Sequence, residues 1–252
     1  MRCVPTLATD NIRDLPAPDL CIICVKGYDL EAVAQNLALH IRDSAVIVPL
    51  LNGVDIYDRL RQHIKNGIIL PSCVYIGAYI EQPGVVAETG KGGQIICGYD
   101  PSVSAFDPQP LLAFFEQMQI RCTWQDNPYP AIWEKYMFIA SFALTTTYSG
   151  KTLGEVMDDK ELAETTRSII REIWNIALKS GVNFSEEIIE SAFQKAKVFP
   201  YDATTSYQRD VIAKGAKNEG DLFGGTILRL GQKFDVPTPA AAKIYRAIEE
   251  RV

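Results

Sequence analysis

The chain has 252 residues, 47% of them hydrophobic and 22% charged, which is the composition of a globular protein with one large or two modest domains. A net charge of -6 and a pI near 5.1 exclude a broad surface for nucleic acid or anionic membrane, since such a surface needs clustered Lys and Arg. A small acid bound in a local basic pocket is compatible with this charge.

The first hundred residues alternate short apolar runs with helical patterns, which predicts a mainly parallel α/β sheet. The predicted strands cover residues 20–25, 45–51 and 68–76, and the predicted helices cover residues 30–41 and 55–64. Further on, residues 85–88 and 94–98 flank the stretch Thr89-Gly90-Lys91-Gly92-Gly93. This pattern predicts an antiparallel hairpin with a glycine turn rather than a phosphate-binding loop, because no helical pattern and no Lys-Ser/Thr pair follow.

The second half of the chain is predicted to be helical. The predicted helices cover residues 110–119, 131–148, 159–180, 185–198, 205–217, 221–234 and 239–250. Ser180-Gly181 indicates a helix end, Ser185 a helix start, and Thr238-Pro239 a capping hydroxyl before a proline at the first helical position. We therefore predict an α/β domain over residues 1–125 and a helical substrate and dimerisation domain over residues 126–252.

Neither the N-terminus nor the cysteines suggest export. The N-terminus lacks the apolar core of a signal peptide, and no apolar run reaches the roughly eighteen residues of a membrane span. Cys21 and Cys24 lie in a predicted strand, where residues three apart point to opposite faces, and no second Cys/His pair at ligand spacing exists. We expect free thiols, no metal site, no membrane partner and a cytoplasmic location.

Five short motifs follow one another across nearly the whole chain. The first three are Val25-Lys26-Gly27-Tyr28-Asp29 at a strand end, Pro49-Leu50-Leu51-Asn52-Gly53-Val54, and Trp133-Glu134-Lys135 at the start of a long helix. The last two are Thr205-Ser206-Tyr207-Gln208-Arg209-Asp210 with Asn218-Glu219-Gly220-Asp221 and Gly224-Gly225, and Val236-Pro237-Thr238-Pro239. In this order they resemble the ketopantoate reductase family, with its QNG segment, its catalytic lysine, its SSMxQD, TEID and NG region and its closing GVPTP.

The resemblance implies an α/β plus all-α fold, in which a partial Rossmann-like sheet precedes a helical domain similar to the C-terminal domain of 6-phosphogluconate dehydrogenase. A complete dinucleotide domain opens with Gly-x-Gly-x-x-Gly, and this sequence has no such motif. The first βαβ unit is therefore expected to be missing, because Met1 is an internal or misassigned start or because the unit has been lost. Its loss would leave an open sheet edge, so a homodimer is one expectation.

The activity that the resemblance implies is NADPH-dependent reduction of 2-dehydropantoate, or a related 2-oxo acid, to the 2-hydroxy acid in pantothenate biosynthesis. The preference for NADPH comes from the family alone, because the strand end that would read the 2′-phosphate is not in the sequence. Reduction of a 2-oxo acid requires a hydride donor, a proton donor and groups that bind the carboxylate.

The resemblance assigns Lys135 as proton donor, and its place in an otherwise apolar stretch, where an ammonium loses solvation, suits that role. Without the resemblance, the spacing favours a surface lysine beside Glu134. By resemblance, Glu219 holds the substrate and the lysine in place; its alternative role is a solvated carboxylate at a helix start. Ser206 matches the serine that binds the substrate's carboxylate, although a helix N-cap explains an isolated serine equally well.

Asn52 and Lys26 follow the ends of predicted strands, where open α/β sheets bind ligands. The resemblance implies that Asn52 reaches the nicotinamide or the substrate. It also implies that Lys26 faces the cofactor or the substrate. The alternatives are a simple turn at Asn52-Gly53 and a surface lysine at position 26.

Two positions depart from the family pattern. One and two helical turns beyond Lys135, many ketopantoate reductases carry asparagines that face the substrate, but here the residues are Ile139 and Ala143. Apolar groups cannot replace those hydrogen bonds. These two positions therefore leave open a reductase for another 2-oxo acid. The missing glycine-rich motif leaves open a different class, a non-catalytic ligand-binding or assembly module that has lost cofactor binding.

Overall fold

The computed structural model describes residues 4–103, 105–213 and 217–251, and the side chains of residues 89–91 lie outside the description. The chain divides into two compact units. Unit 1 comprises Met1–Leu51 and Asp55–Pro128, and unit 2 comprises Asn52–Val54 and Tyr129–Val252. The segment Asn52–Val54 thus belongs with the helical residues, although the chain on both sides of it belongs to unit 1.

Unit 1 begins with a parallel three-stranded sheet in the order β1-β2-β3. Its strands are β1 (Leu20–Ile23), β2 (Val46–Pro49) and β3 (Ile68–Ile69), and its helices are α1 (Leu30–Ala38) and α2 (Ile56–His63). Ile47 and Val48 of β2 are fully buried, as expected for a strand covered on both faces. The α/β half of the predicted fold class is confirmed.

A second sheet in unit 1 has the order β4-β5-β6. It contains β4 (Ser72–Gln82), β5 (Val85–Gly98) and β6 (Cys122–Gln125), with α3 (Gln109–Gln117) before β6. Strands β4 and β5 are antiparallel, and β6 is parallel to β5. Neither β6 nor the extension of β4 to residue 82 was expected from the sequence.

The predicted position of the hairpin turn was wrong. Gln82 pairs with Val85, so the turn consists of Pro83 and Gly84, and residues 89–93 lie inside β5. Proline fixes φ at the first central position of such a turn, and Gly84 adopts φ +80°, which suits glycine at the second. The glycines at 90, 92 and 93 marked an irregular strand instead, and the register shifts between Tyr75 and Gly77.

The predicted strand at residues 68–76 is divided in two. β3 ends at Ile69 and β4 begins at Ser72, in a different sheet. Pro71 stands between them and has no amide hydrogen for a ladder, which explains the break. Behind the break lies a buried core shared by both sheets and α3, made of Val48, Leu70, Ile95, Cys97, Leu111 and Phe115.

Asp100 anchors α2 to the sheet edge in unit 1. Its carboxylate accepts hydrogen bonds from Tyr57 Oη at 2.6 Å and from the Ile69 amide at 2.8 Å, and it forms an ion pair with Arg61. Burial raises the pKa of Asp100, but the hydrogen bonds from Tyr57, Ser102 and Ile69 outweigh burial and hold the pKa below its ordinary value. The buried aspartate is therefore stabilised in its charged form.

Unit 2 is helical, which confirms the second half of the predicted fold class. Its helices are α4 (Tyr129–Ser149), α5 (Leu153–Asp158), α6 (Lys160–Lys179), α7 (Ile188–Ala196), α8 (Ser206–Ile212), α9 (Thr226–Phe234) and α10 (Pro239–Glu249), with a π-helical segment at Asp221–Gly225. Helix α5 was not predicted, although Thr152 and Glu155 form the capping box that begins it. Residues 214–216 of the predicted helix 205–217 lie outside the described residues.

The start of α10 is capped differently from the prediction. Thr238 precedes Pro239 as expected, but its side chain makes no capping hydrogen bond. Instead, the buried carboxylate of Glu172 in α6 accepts the amides of Ala240 at 2.7 Å and Ala241 at 2.9 Å. A residue 68 positions away in the sequence thus satisfies the helix N-terminus, where a carboxylate is favoured.

None of the helices within the described residues combines the length and apolar character that crossing a membrane would require.

Candidate active site

Lys135 and Asn52 are brought together in unit 2. Lys135 lies in the second turn of α4, and its Nζ donates a hydrogen bond to Asn52 Oδ1 at 2.8 Å across 83 positions of sequence. Gly53 adopts φ +131°, a conformation that L side chains rarely adopt, so the chain can turn directly after Asn52. The turn at Asn52-Gly53 therefore accompanies the contact with Lys135 and is not an alternative to it.

The apolar stretch around Lys135 is buried as the sequence indicated. Trp133, Tyr136 and Met137 are all at most 5% exposed, whereas Lys135 is half-buried. Glu134, which the sequence offered as a neighbour for Lys135, forms an ion pair with Lys195 of α7. The ammonium of Lys135 is thus held at the edge of a buried wall, next to a neutral amide oxygen.

Tyr136 connects the turn of α4 that bears Lys135 to the π-helical segment. Its hydroxyl lies 2.9 Å from the carbonyl oxygen of Leu222 and 2.7 Å from that of Phe223, and it donates to them. A π-helical turn interrupts the regular ladder of backbone hydrogen bonds and is found often at functional sites. The fully buried Tyr136 therefore fixes this irregular backbone against α4.

Glu219 lies two residues before the π-helical segment, which begins at Asp221. Its carbonyl oxygen accepts a hydrogen bond from the Phe223 amide at 3.1 Å. The residue is only 6% exposed, so the alternative role of a solvated carboxylate at a helix start is wrong. A buried carboxylate is stable only where hydrogen-bonding or charged groups surround it.

Ser206 is the first residue of α8, but it is not the N-cap. The preceding Thr205 is the cap, because its Oγ1 accepts the Gln208 amide at 3.3 Å and lies 3.0 Å from Thr146 Oγ1 of α4. The capping explanation for Ser206 is therefore wrong, and its half-buried hydroxyl is not used for that purpose.

Sequence reasoning missed the residues that hold these segments together. Tyr207, next to Ser206, is fully buried with its ring 5.6 Å from that of Phe223. The carbonyl oxygen of Phe223 accepts a hydrogen bond from the hydroxyl of Tyr136, the residue after Lys135. The Phe223 amide donates a hydrogen bond to the carbonyl oxygen of Glu219. The cluster of Tyr136, Tyr207 and Phe223 thus links the backbones that carry three of the candidate residues. The only signal of this cluster in the sequence is that a tyrosine directly follows each of two candidate residues, Lys135 and Ser206.

Lys26 belongs to unit 1, where it follows β1 and precedes the short 3-10 helix Gly27–Asp29 that leads into α1. The carboxyl end of a parallel strand followed by a helix start is where such sheets bind nucleotides. A half-buried lysine at that edge suits an anionic phosphate or ribose-phosphate group. In chemical type, this lysine therefore suits the phosphate part of a nicotinamide dinucleotide.

Cys21 and Cys24 are thiols that form no disulfide. Burial raises the pKa of both, and for Cys21 the neighbouring Cys24 adds to the rise. A raised pKa disfavours the thiolate, which is the form that binds metals and attacks disulfides. Within the described residues no group of three His, Cys, Asp or Glu side chains is placed to hold a metal ion.

Two family models match the chain. The model described as "Ketopantoate reductase PanE/ApbA" matches residues 2–101, and that described as "Ketopantoate reductase PanE/ApbA C terminal" matches residues 128–252. A relative from Halobacterium salinarum, named 2-dehydropantoate 2-reductase, is 26% identical over 93% of this chain and 76% of its own length.

Solved structures of similar fold agree with the family match. A PanE/ApbA family ketopantoate reductase from Ralstonia eutropha has a TM-score of 0.85 at 23% identity, over 96% of this chain and 80% of that one. D-mandelate dehydrogenase, solved with NADH and anilino(oxo)acetate, has a TM-score of 0.81 at 20% identity, over 92% and 76%. A dimeric ketopantoate reductase from Staphylococcus aureus has a TM-score of 0.78 at 22% identity, over 94% and 79%. At these identities the structural likeness shows the fold alone.

Proposed function

This chain belongs to the ketopantoate reductase family, and from that premise we propose that it reduces 2-dehydropantoate or a related 2-oxo acid to the 2-hydroxy acid. The observation that carries the proposal is the 2.8 Å hydrogen bond from Lys135 Nζ to Asn52 Oδ1. An ammonium at the edge of a buried wall is a general acid held in position, which is what protonation of a reduced carbonyl requires. The relative named 2-dehydropantoate 2-reductase supports the substrate class.

A nicotinamide dinucleotide, when bound, would supply the hydride for the carbonyl carbon, and Lys26 is the residue of unit 1 that we propose contacts it. Lys135 transfers one proton to the carbonyl oxygen, so that C=O becomes CH–OH, and then regains a proton from solvent. Asn52 holds the ammonium in place for this transfer. We assign the hydroxyl of Ser206 to the substrate's carboxylate, and the carboxylate of Glu219 to orienting substrate and lysine.

NADPH as the cofactor, a role in pantothenate biosynthesis, a homodimer and a cytoplasmic location are finer parts of the same proposal. The family membership supports the first two. The dimeric Staphylococcus aureus neighbour supports the third, which the mass of the protein in solution, measured by light scattering, would test. A cytoplasmic location stays a prediction from the sequence.

The test is a titration of the chain with NADPH and with NADH while nicotinamide fluorescence is followed, and then turnover with 2-dehydropantoate. We expect saturable binding and consumption of the reduced cofactor that depends on the 2-oxo acid. If neither cofactor binds at millimolar concentration, the enzymatic function is excluded and the non-catalytic binding module becomes the better description.

A further inference from the structure

The face of α4 that bears Lys135 is apolar on both sides of the lysine. Residues three and four positions apart share a helix face, so the neighbours of Lys135 are Ala131 and the buried Ile132 one turn before it and Phe138 and Ile139 one turn after it. Phe138 and Ile139 are half-buried and so remain partly accessible. A small molecule whose carbonyl lies at Lys135 Nζ would meet hydrocarbon in either direction along this helix.

Aromatic packing extends the apolar face beyond the first turn. The ring of Phe138 stacks on that of Phe199 with centroids 5.6 Å apart and lies 5.2 Å from that of Phe142. Phe142 in turn contacts Phe193 of α7 at 5.4 Å. Phe199 is 50% exposed, so the apolar surface continues outward and does not end at Phe138.

The hydroxyl groups of α4 do not offset this apolar character. Ser141 donates to the Met137 carbonyl at 2.7 Å and Thr145 donates to the Ser141 carbonyl at 2.8 Å, and both are fully buried. Thr146, three turns beyond Lys135, lies 3.0 Å from Thr205 Oγ1. Along α4, all of which is described, the side chains one turn either side of Lys135 on its face therefore carry no hydrogen-bonding group.

We infer that this chain takes 2-oxo acids with an apolar side chain, branched aliphatic or aryl, in preference to the hydroxylated side chain of 2-dehydropantoate. The inference rests on the proposed function and specifies its substrate. A substrate hydroxyl that moves from water to the apolar surface of Ala131, Phe138 and Ile139 loses its hydrogen bonds to water. These side chains offer no hydrogen bonds in exchange. An apolar pocket rejects an added hydroxyl by about 10- to 100-fold, which is the preference we expect.

The test uses two acids that differ by one hydroxyl, 3,3-dimethyl-2-oxobutanoate and 2-dehydropantoate, with phenylglyoxylate as the aryl example. kcat/KM is measured for each acid with the reduced cofactor at saturation. The thermal shift that each acid causes in the presence of oxidised cofactor gives a second readout, independent of turnover. We expect the acid without the hydroxyl to be preferred by about 10- to 100-fold in both measurements.

Ile139→Asn places an amide one turn from Lys135 and is expected to reduce that preference by about tenfold, whereas Ile139→Val keeps the wall apolar and retains the preference. Equal or better use of 2-dehydropantoate by the unaltered chain would overturn the inference and leave the proposed function intact. Failure to bind or reduce any of the three acids would instead overturn the proposed function, and the inference with it.

Discussion

Lys135 and Asn52 lie 83 positions apart in the sequence, yet the ammonium of one donates to the amide oxygen of the other at 2.8 Å. The two residues belong to the same compact unit, because Asn52–Val54 separates from the sheet residues around it and joins the helices. An amide oxygen accepts a hydrogen bond without adding charge, so it can fix the position of an ammonium without neutralising it.

Lys135→Ala should lower kcat for 2-oxo acid reduction by about 10²- to 10⁴-fold, because the carbonyl oxygen then has no positioned proton donor. The Lys135 side chain is only half-buried, so the variant should keep the fold. Circular dichroism would check this. Lys179→Ala, an exposed lysine at the end of α6, is the matched control and should leave kcat unchanged. Equal rates for the two variants would give Lys135 a structural role.

Asn52→Asp replaces the neutral acceptor with a carboxylate at the same distance from Lys135. A neighbouring negative charge favours the charged ammonium, so the alkaline limb of the pH dependence of kcat/KM should move upward by about one pH unit or more. Asn52→Ala removes the acceptor without adding charge and should lower the rate without that upward displacement. An alkaline limb that does not respond to Asn52→Asp would show that Lys135 is not the group that titrates there.

Asp100→Asn should destabilise the protein by about 3–5 kcal/mol near neutral pH, since it leaves Arg61 without its buried counter-charge. The pKa of Asp100 is lowered in the folded protein, so its contribution is present above the ordinary value of 3.8 and is lost as the pH falls through the folded value. In urea unfolding at a series of pH values, the difference in the free energy of unfolding between wild type and variant should become smaller below about pH 3.8.

The control for Asp100 is Asp19, which pairs with Arg42 but is 94% exposed. Asp19→Asn should cost less than about 1 kcal/mol at every pH, because solvent screens an exposed pair. If Asp19→Asn and Asp100→Asn lowered the free energy of unfolding by similar amounts, burial would not determine the strength of these two aspartate–arginine ion pairs.

Tyr207 and Gly220 should be coupled in stability. The buried hydroxyl of Tyr207 has no hydrogen-bond partner among the described residues, so Tyr207→Phe should be neutral or slightly stabilising. A Cβ at Gly220 would lie 2.7 Å from that hydroxyl, so Gly220→Ala should cost about 1–3 kcal/mol. In a double-mutant cycle by urea unfolding, Tyr207→Phe should recover part of the loss. Additive effects would place the strain of Gly220→Ala at the side-chain oxygens of Glu249 and Asn218, 2.9 Å and 3.0 Å from the same Cβ.

Glu172→Ala should lower the free energy of unfolding by about 1–3 kcal/mol, because the amides of Ala240 and Ala241 lose their buried acceptor. Thr238→Ala is the matched control at the same helix end. It should cost under about 0.5 kcal/mol, since the Thr238 side chain caps nothing. A larger loss for Thr238→Ala than for Glu172→Ala, measured by thermal or urea unfolding, would contradict this account of the α10 N-terminus.

Glycine and proline in the sequence predicted correctly where two helices end or begin, because these residues act on the backbone next to them. Helix α6 ends at Lys179 with Gly181 at φ +92°, as Ser180-Gly181 indicated, and α10 begins at Pro239 as Thr238-Pro239 indicated. In both cases a single residue type with restricted or unusual backbone freedom marks the boundary. Pro83-Gly84 carries the same kind of signal and forms the hairpin turn, whereas the glycine-rich stretch after it lies inside β5.

What the sequence could not supply were contacts between distant positions. The Glu172 cap spans 68 positions and the Lys135 contact with Asn52 spans 83, and no local pattern encodes either. The resemblance to a family predicts Lys135, Asn52, Ser206 and Glu219 as site residues, and their spacing in the sequence does not. Thr205 was missed as the cap of α8 because Ser206 beside it is an equally good capping residue type.

The π-helical segment Asp221–Gly225 fixes the rotational phase of Glu219 relative to α9. An α-helix advances by about 100° per residue, so one residue accommodated in a wider turn displaces everything before it by that angle. Deleting a single residue here would let the backbone continue as a regular helix, with Glu219 facing a different direction. The direction of the Glu219 side chain therefore depends on the number of residues in this segment as well as on their identity.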